Sequence, residues 1–122
     1  MNHIFDSHAH YDDEKFSADT DDVLKKIRQS GVERVVNAGS DIPSSSKGKE
    51  LAEKYDFLYF AAGIHPHEAE KAPEDYLQTV EKLTKHSKAV AVGEIGLDYH
   101  YDLSPREIQK QVFEAQLILA NR

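Results

Sequence analysis

Strand-like and helix-like segments alternate four times along this chain, in steps of roughly 30 residues, and that alternation restricts the fold more than any other feature. Residues 3–10 open with Ile4-Phe5 and read as a first strand. A helix is expected from near Asp19, with Asp21 and Asp22 at the positive end of its dipole, Val23, Leu24 and Ile27 as its apolar stripe, and Gly31 at the C-cap. Strand two covers residues 32–38, centred on Val35-Val36. Gly39-Ser40-Asp41 then forms a loop before a helix over residues 44–55. Strand three runs over 57–62, and helix three begins around Pro73, with Tyr76, Val80 and Leu83 at helical spacing. Strand four spans 89–93. Helix four opens with Ser104-Pro105-Arg106-Glu107, which reads as a capping box, and keeps Ile108, Val112, Ala115 and Leu119 on one face.

Short strands feeding helices in this order predict an α/β fold built of βαβ units on a parallel sheet. Four units make a (β/α)4 half of a TIM-type (β/α)8 barrel. The 122 residues are too few for the complete barrel, which takes about 250. Periodicity alone leaves a small doubly wound sheet as the alternative. No linker or low-complexity tract divides the chain, so residues 1–122 read as a single domain.

Charge narrows the function. Lys and Arg total 15 against 22 Asp and Glu, a net charge of −7, which excludes gripping nucleic acid by bulk electrostatics but not through the local charge of a metal centre. With no cysteine, disulfides, thiolate metal sites and thiol nucleophiles are excluded. The N-terminus lacks the basic and apolar regions of a signal peptide, and the longest apolar runs fall far short of the ~20 residues of a membrane helix. A cytoplasmic protein without membrane contact is the expectation.

Four of the seven histidines fall in two His-x-His pairs, each at the exit of an expected strand. Residues two apart on a strand face the same side, so His8 and His10 can converge on one metal ion at the end of the sheet where α/β folds carry their sites. His65-Pro66-His67 repeats the spacing in a loop. There His65 is expected to face the site and contact substrate, while His67 either joins it or holds the loop. Glu94 follows Val90-Ala91-Val92-Gly93 directly, and a carboxylate leaving an apolar strand is costly unless paired or bound to metal. Asp98 and Tyr99 in the next loop are candidates for contact with substrate or for orienting a group that makes it. Asp6 reads as orienting a neighbouring ligand or loop, and Asp12-Asp13-Glu14 as a solvated loop.

Ile4-Phe5-Asp6-Ser7-His8-Ala9-His10, Gly63-Ile64-His65-Pro66-His67, Gly93-Glu94-Ile95-Gly96-Leu97-Asp98-Tyr99 and Gln111-Val112-Phe113-Glu114-Ala115-Gln116-Leu117 follow one another at ordinary spacing. Together they resemble the N-terminal half of a TatD-type metal-dependent deoxyribonuclease, in the amidohydrolase-like group of barrel hydrolases. The resemblance implies two divalent ions (Mg, Mn or Zn) at the barrel mouth and hydrolysis of DNA phosphodiester bonds. It matches His8 and His10 to the ligands of one ion and Glu94 to the carboxylate that binds, and often bridges, the metals. It matches His65 to a position beside the substrate phosphate, making Glu94 and His65 the catalytic candidates. His67, Asp98 and Tyr99 are expected to line the substrate side of the mouth.

Three further ligands of that family have no counterpart in the 122 residues: a histidine in a His-x-Arg segment, a second histidine, and an aspartate that acts as general base. A truncated reading frame or a fragment of a longer protein would account for that, and catalysis by this chain alone is not expected. Free edges on strands one and four would then favour self-association. Two other readings remain: a metal-dependent hydrolase of another ester or amide, and a non-catalytic half-barrel that dimerises.

Overall fold

The computed structural model describes residues 3–122. Four parallel strands, β1 (Ile4–Ala9), β2 (Val32–Ala38), β3 (Leu58–Ala62) and β4 (Ala89–Val92), lie side by side in chain order. Four helices follow them in turn: α1 (Thr20–Gln29), α2 (Ile42–Lys54), α3 (Tyr76–Thr84) and α4 (Arg106–Ala120). Strand order that matches chain order, with a helix after every strand, is half of a (β/α)8 barrel rather than a doubly wound sheet, whose strand order would reverse.

The core lies between the sheet and the helices. Leu58 and Phe60, two apart on β3, are fully buried, as are Val35 on β2, Leu24 on α1 and Val80 on α3. They pack in one cluster with Ala52 of α2 and Val112 and Leu119 of α4. β1 and β4 each pair on one side only, and Phe5 and Val90 on these edges are 60% and 53% exposed. Among the described residues, no helix is long and apolar enough to cross a membrane.

The helix starts differ from the sequence reading at three helices. Ser104 does not cap α4, whose N-cap is Pro105, without a side-chain bond. The Ser104 hydroxyl is buried and instead donates to the His67 carbonyl and accepts from the Glu70 amide, both at 3.1 Å, while Glu107 pairs with Lys110. The capping box lies at α2: Asp41 accepts from the Ser44 amide at 2.8 Å and its own amide donates to the Ser44 hydroxyl at 3.0 Å. That helix therefore starts at Ile42, with Pro43 in its first turn. Helix α3 starts at Tyr76, because the chain from Pro73 first makes a turn closed by the Tyr76 amide on the Pro73 carbonyl.

Candidate metal centre

The C-terminal ends of the strands are laced together by backbone. Gly39 donates to the Ala61 carbonyl at 3.0 Å, Gly93 to the Ala62 carbonyl at 2.9 Å, and Glu94 reaches across to the Gly39 carbonyl at 2.7 Å. The Gly93–Glu94 peptide is cis. Such close layering requires glycine at 63: a Cβ there would lie 2.9–3.0 Å from the Gly93 backbone. Glu94 is thus fixed by main chain before its carboxylate makes any contact.

On that frame His8 and His10 converge with Glu94. The two Nε2 atoms are 3.2 Å apart, and the Glu94 Oε2 lies 3.3 Å from His8 Nε2 and 4.0 Å from His10 Nε2. The His10 Nδ1 is 3.0 Å from the Ala38 carbonyl, which can only accept, so Nδ1 carries the proton and Nε2 of the neutral ring presents a lone pair. A lone pair this close to a second imidazole nitrogen and a carboxylate needs a proton or a cation between them. The nitrogen separation is close to the ~3.3 Å expected when two imidazoles share a tetrahedral ion at about 2.0–2.1 Å. Two nitrogens and a carboxylate oxygen, one ring oriented by a backbone carbonyl, form a donor set that fits a divalent ion.

His65 is wired the other way. Its Nδ1 accepts from the His67 amide at 3.0 Å, so the neutral ring carries its proton on Nε2, which faces Glu94 Oε1 at 3.5 Å. Burial holds its pKa below the ordinary histidine value, with Glu94 opposing that effect. His10 thus offers a lone pair to the centre, and His65 offers a donor. His67 stacks edge-on against His65, with centroids 4.3 Å apart, and pairs through Nε2 with Asp98 at 2.5 Å. That pairing, together with the Tyr101 and His100 amides donating to its other oxygen, draws the Asp98 carboxyl below the usual range. An open cavity of about 320 Å³ lies over this group, lined by His10, His65, His67 and Glu94 together with Asp12, Asp13 and Glu68.

All five buried polar side chains among the described residues bond to the loops of this mouth. Asn37 accepts from the Tyr11 amide at 2.7 Å and donates to Asp12 at 2.9 Å. Ser45 holds both the amide and the carbonyl of Gly63. Gln116 does the same for Ile64, accepting from its amide at 2.7 Å, and Gln109 for Asp98. Ser104 ties the His67 carbonyl to the Glu70 amide, as described above.

Of the residues expected from sequence, the structure groups His8, His10, Glu94 and His65 around one point and joins His67 to Asp98 beside it. Asp6 accepts from the His8 amide at 3.2 Å, so it orients the chain there. The Tyr99 ring lies beneath the Arg106 guanidinium, 4.5 Å from its centroid, whereas Tyr101, not singled out from sequence, packs against His67 with centroids 5.8 Å apart. The roles of Gln109 and Gln116 also escaped notice, although polar residues at positions 109 and 116 keep the same helical spacing as the buried Val112 and Leu119.

A parallel β/α half-barrel with two histidines and a glutamate at the strand exits defines a class of metal-dependent barrel hydrolase. The pattern described as TatD related DNase matches residues 5–122, and the chain belongs to that family. It is 44% identical over 117 residues to the uncharacterized metal-dependent hydrolase YabD of Bacillus subtilis (strain 168), a match covering 96% of this chain and 46% of YabD. It is 33% identical over 118 residues to the 3′-5′ ssDNA/RNA exonuclease TatD of Pantoea ananatis (strain LMG 20103), covering 96% and 45%. The crystal structure of YjjV, a TatD homolog from Escherichia coli K12, superposes with a TM-score of 0.87 at 34% identity, over 96% of this chain and 46% of that one. A TatD family hydrolase from Entamoeba histolytica superposes with a TM-score of 0.88 at 26% identity, over 98% and 46%. The chain therefore spans about half the length of the curated relatives it matches.

Proposed function

We propose that the chain forms the N-terminal half of a TatD-like barrel and carries one ion's ligands, His8, His10 and Glu94, for divalent-metal-dependent hydrolysis of phosphodiester bonds in DNA. The convergence of the two Nε2 atoms with Glu94 carries this reading, because the Ala38 carbonyl leaves His10 with its lone pair facing the other two donors. A divalent ion held there supplies Lewis acidity toward a phosphoryl oxygen and offsets the negative charge that develops on it. Two imidazoles with one carboxylate suit Zn or Mn better than Mg, which prefers oxygen donors.

The chain's own residues divide the remaining work. His65, neutral and with its proton on Nε2, faces Glu94 and can turn that one N–H to a phosphate oxygen entering the cavity. His67 and Asp98 hold the outer wall through the contact between His67 Nε2 and the Asp98 carboxylate. Linear single strands suit an open mouth, and the Pantoea relative named as an ssDNA/RNA exonuclease supports that choice of substrate.

The test is metal-dependent shortening of end-labelled single-stranded DNA by the protein purified from its source at its native length. Loss of that activity in His8→Ala and Glu94→Gln, with the fold retained, is the expected result. An intact strand with Mg, Mn and Zn alike would overturn the reading, and turnover of an ester or cyclic amide in its place would support the other hydrolase alternative.

Self-association is a second proposal. Phe5 and Val90 stand exposed on the edge strands β1 and β4, and edges of this kind pair with another chain. A two-fold dimer of the 122-residue chain in sedimentation equilibrium is expected, weakened by Phe5→Lys. A monomer at all concentrations would rule it out.

A further inference from the structure

We propose that Tyr101 is a stacking platform for a nucleobase of the bound strand, an inference that rests on the nucleic-acid reading above. Its ring stands at 84° to that of His67, 5.8 Å away, and His67 in turn touches His65, which faces Glu94. A base lying on Tyr101 is therefore one or two side chains from the phosphate-handling group. The ring is 66% exposed, unusual for a large aromatic side chain. It is not loosely held, since Asp98 Oδ1 accepts from both the Tyr101 and His100 amides at 3.1 Å and fixes the backbone that presents it.

Two further observations select this residue and this ligand. Tyr99, two positions earlier, is already occupied by the Arg106 guanidinium, which Asp102 anchors at 3.1 Å, whereas Tyr101, with His100 edge-on at 4.7 Å and His67 at 5.8 Å, keeps most of its ring exposed beside the histidines. The chain carries a net charge of −7, and Asp12, Asp13 and Glu68 line the cavity, so the strand's phosphates meet like charge along that wall, away from the metal cluster. Affinity away from that cluster must come from contacts that do not depend on charge. Stacking on an aromatic ring is such a contact, and it accepts any base.

Fluorescence anisotropy with a short fluorescein-labelled oligothymidylate, made nuclease-resistant by phosphorothioate linkages, tests the proposal. A matching strand lacking bases near its 3′ end serves as the comparison. Tyr101→Ala is expected to weaken binding of the intact strand about tenfold, the size of one aromatic–base stack, while Tyr101→Phe retains it. The abasic strand is expected to bind the unaltered protein as weakly as the intact strand binds Tyr101→Ala, with no further loss in the variant. Equal binding of the intact strand by the unaltered protein and Tyr101→Ala would overturn the platform. So would equal binding of intact and abasic strands by the unaltered protein, and in both cases the nucleic-acid reading would stand. Failure of the unaltered protein to bind either strand would overturn both.

Discussion

Gln109 grips Asp98 by both polar groups of its main chain. Its Oε1 accepts from the Asp98 amide at 2.8 Å and its Nε2 donates to the Asp98 carbonyl at 3.3 Å, with a further bond to the Ser104 carbonyl at 2.8 Å. Seven residues on, Gln116 repeats the grip on Ile64, next to His65. Helix α4 thus holds the loops after β3 and β4 through two buried amides. Gln109→Leu and Gln116→Leu each fill the space with apolar atoms but leave a loop amide without an acceptor, half-buried at Asp98 and buried at Ile64. A loss of about 1–3 kcal/mol in urea unfolding is expected for each. In Gln109→Leu the His67–Asp98 pair is expected to loosen as well, visible as a shift of the His67 ring resonances.

Gly63 admits no side chain. A Cβ at that position would meet the Gly93 carbonyl carbon at 2.9 Å and the Gly93 nitrogen and oxygen at 3.0 Å, all main-chain atoms that cannot turn aside. Gly63→Ala is expected to destabilise the fold by about 1–3 kcal/mol, as overpacking does, and to push Glu94 away from the two histidines. Divalent-ion affinity measured by calorimetry should fall along with the melting temperature. Gly96, with nothing within 4 Å of its added Cβ but a φ of 156°, makes a useful contrast. Gly96→Ala strains its own backbone without crowding Glu94.

The elements and the ligand candidates were legible because each is written in local pattern. β2 reads directly from Val32–Ala38, and the alternation of units carries the parallel order of the sheet. His8 and His10 announce themselves by a two-residue spacing at a strand exit, and Glu94 by its abrupt charge after Val92-Gly93. What holds these groups was not legible. Gln109 and Gln116 look like ordinary polar helix residues until the loops they bond are in place, since a buried amide is defined by partners 11 and 52 residues away in the chain. Ser104 misled for the same reason. A serine before Pro-Arg-Glu satisfies a local capping rule, but a tertiary partner, the His67 carbonyl, claimed its hydroxyl.

The opposite wiring of His10 and His65 predicts opposite responses to substitution. In the proposed centre His10 presents its Nε2 lone pair because its Nδ1 proton is held by the Ala38 carbonyl, whereas Nε2 of His65 carries the proton. His10→Ala removes one of three donors, and zinc affinity measured by calorimetry is expected to fall by more than the ~10–100-fold typical of losing an outer partner. His65→Gln keeps an N–H donor near Glu94, so ion affinity should change by less than about tenfold, while any phosphodiester turnover drops more steeply. Equal losses of ion affinity in the two variants would make His65 a ligand and refute the assignment of its proton.

Part of the acid sensitivity should come from the His67–Asp98 pair, beside the likewise lowered Asp21 and Glu33 carboxyls. The His67 hydrogen bond and two backbone amides hold the Asp98 carboxyl below its ordinary value. Because its folded pKa is depressed, the unfolded chain binds that proton first as acid is added. The pair therefore contributes its full stability above the unfolded value of about 3.9 and loses it as the pH falls through the folded value below that. Asp98→Asn cannot titrate, so unfolding free energies measured between about pH 5 and 2 should decline less steeply for this variant than for the unaltered protein. The variant should also be less stable at pH 6, where the unaltered carboxylate is fully charged and bonded. Parallel slopes in the two proteins would mean that Asp98 gains nothing from His67, and the pair would lose its place as the wall of the site.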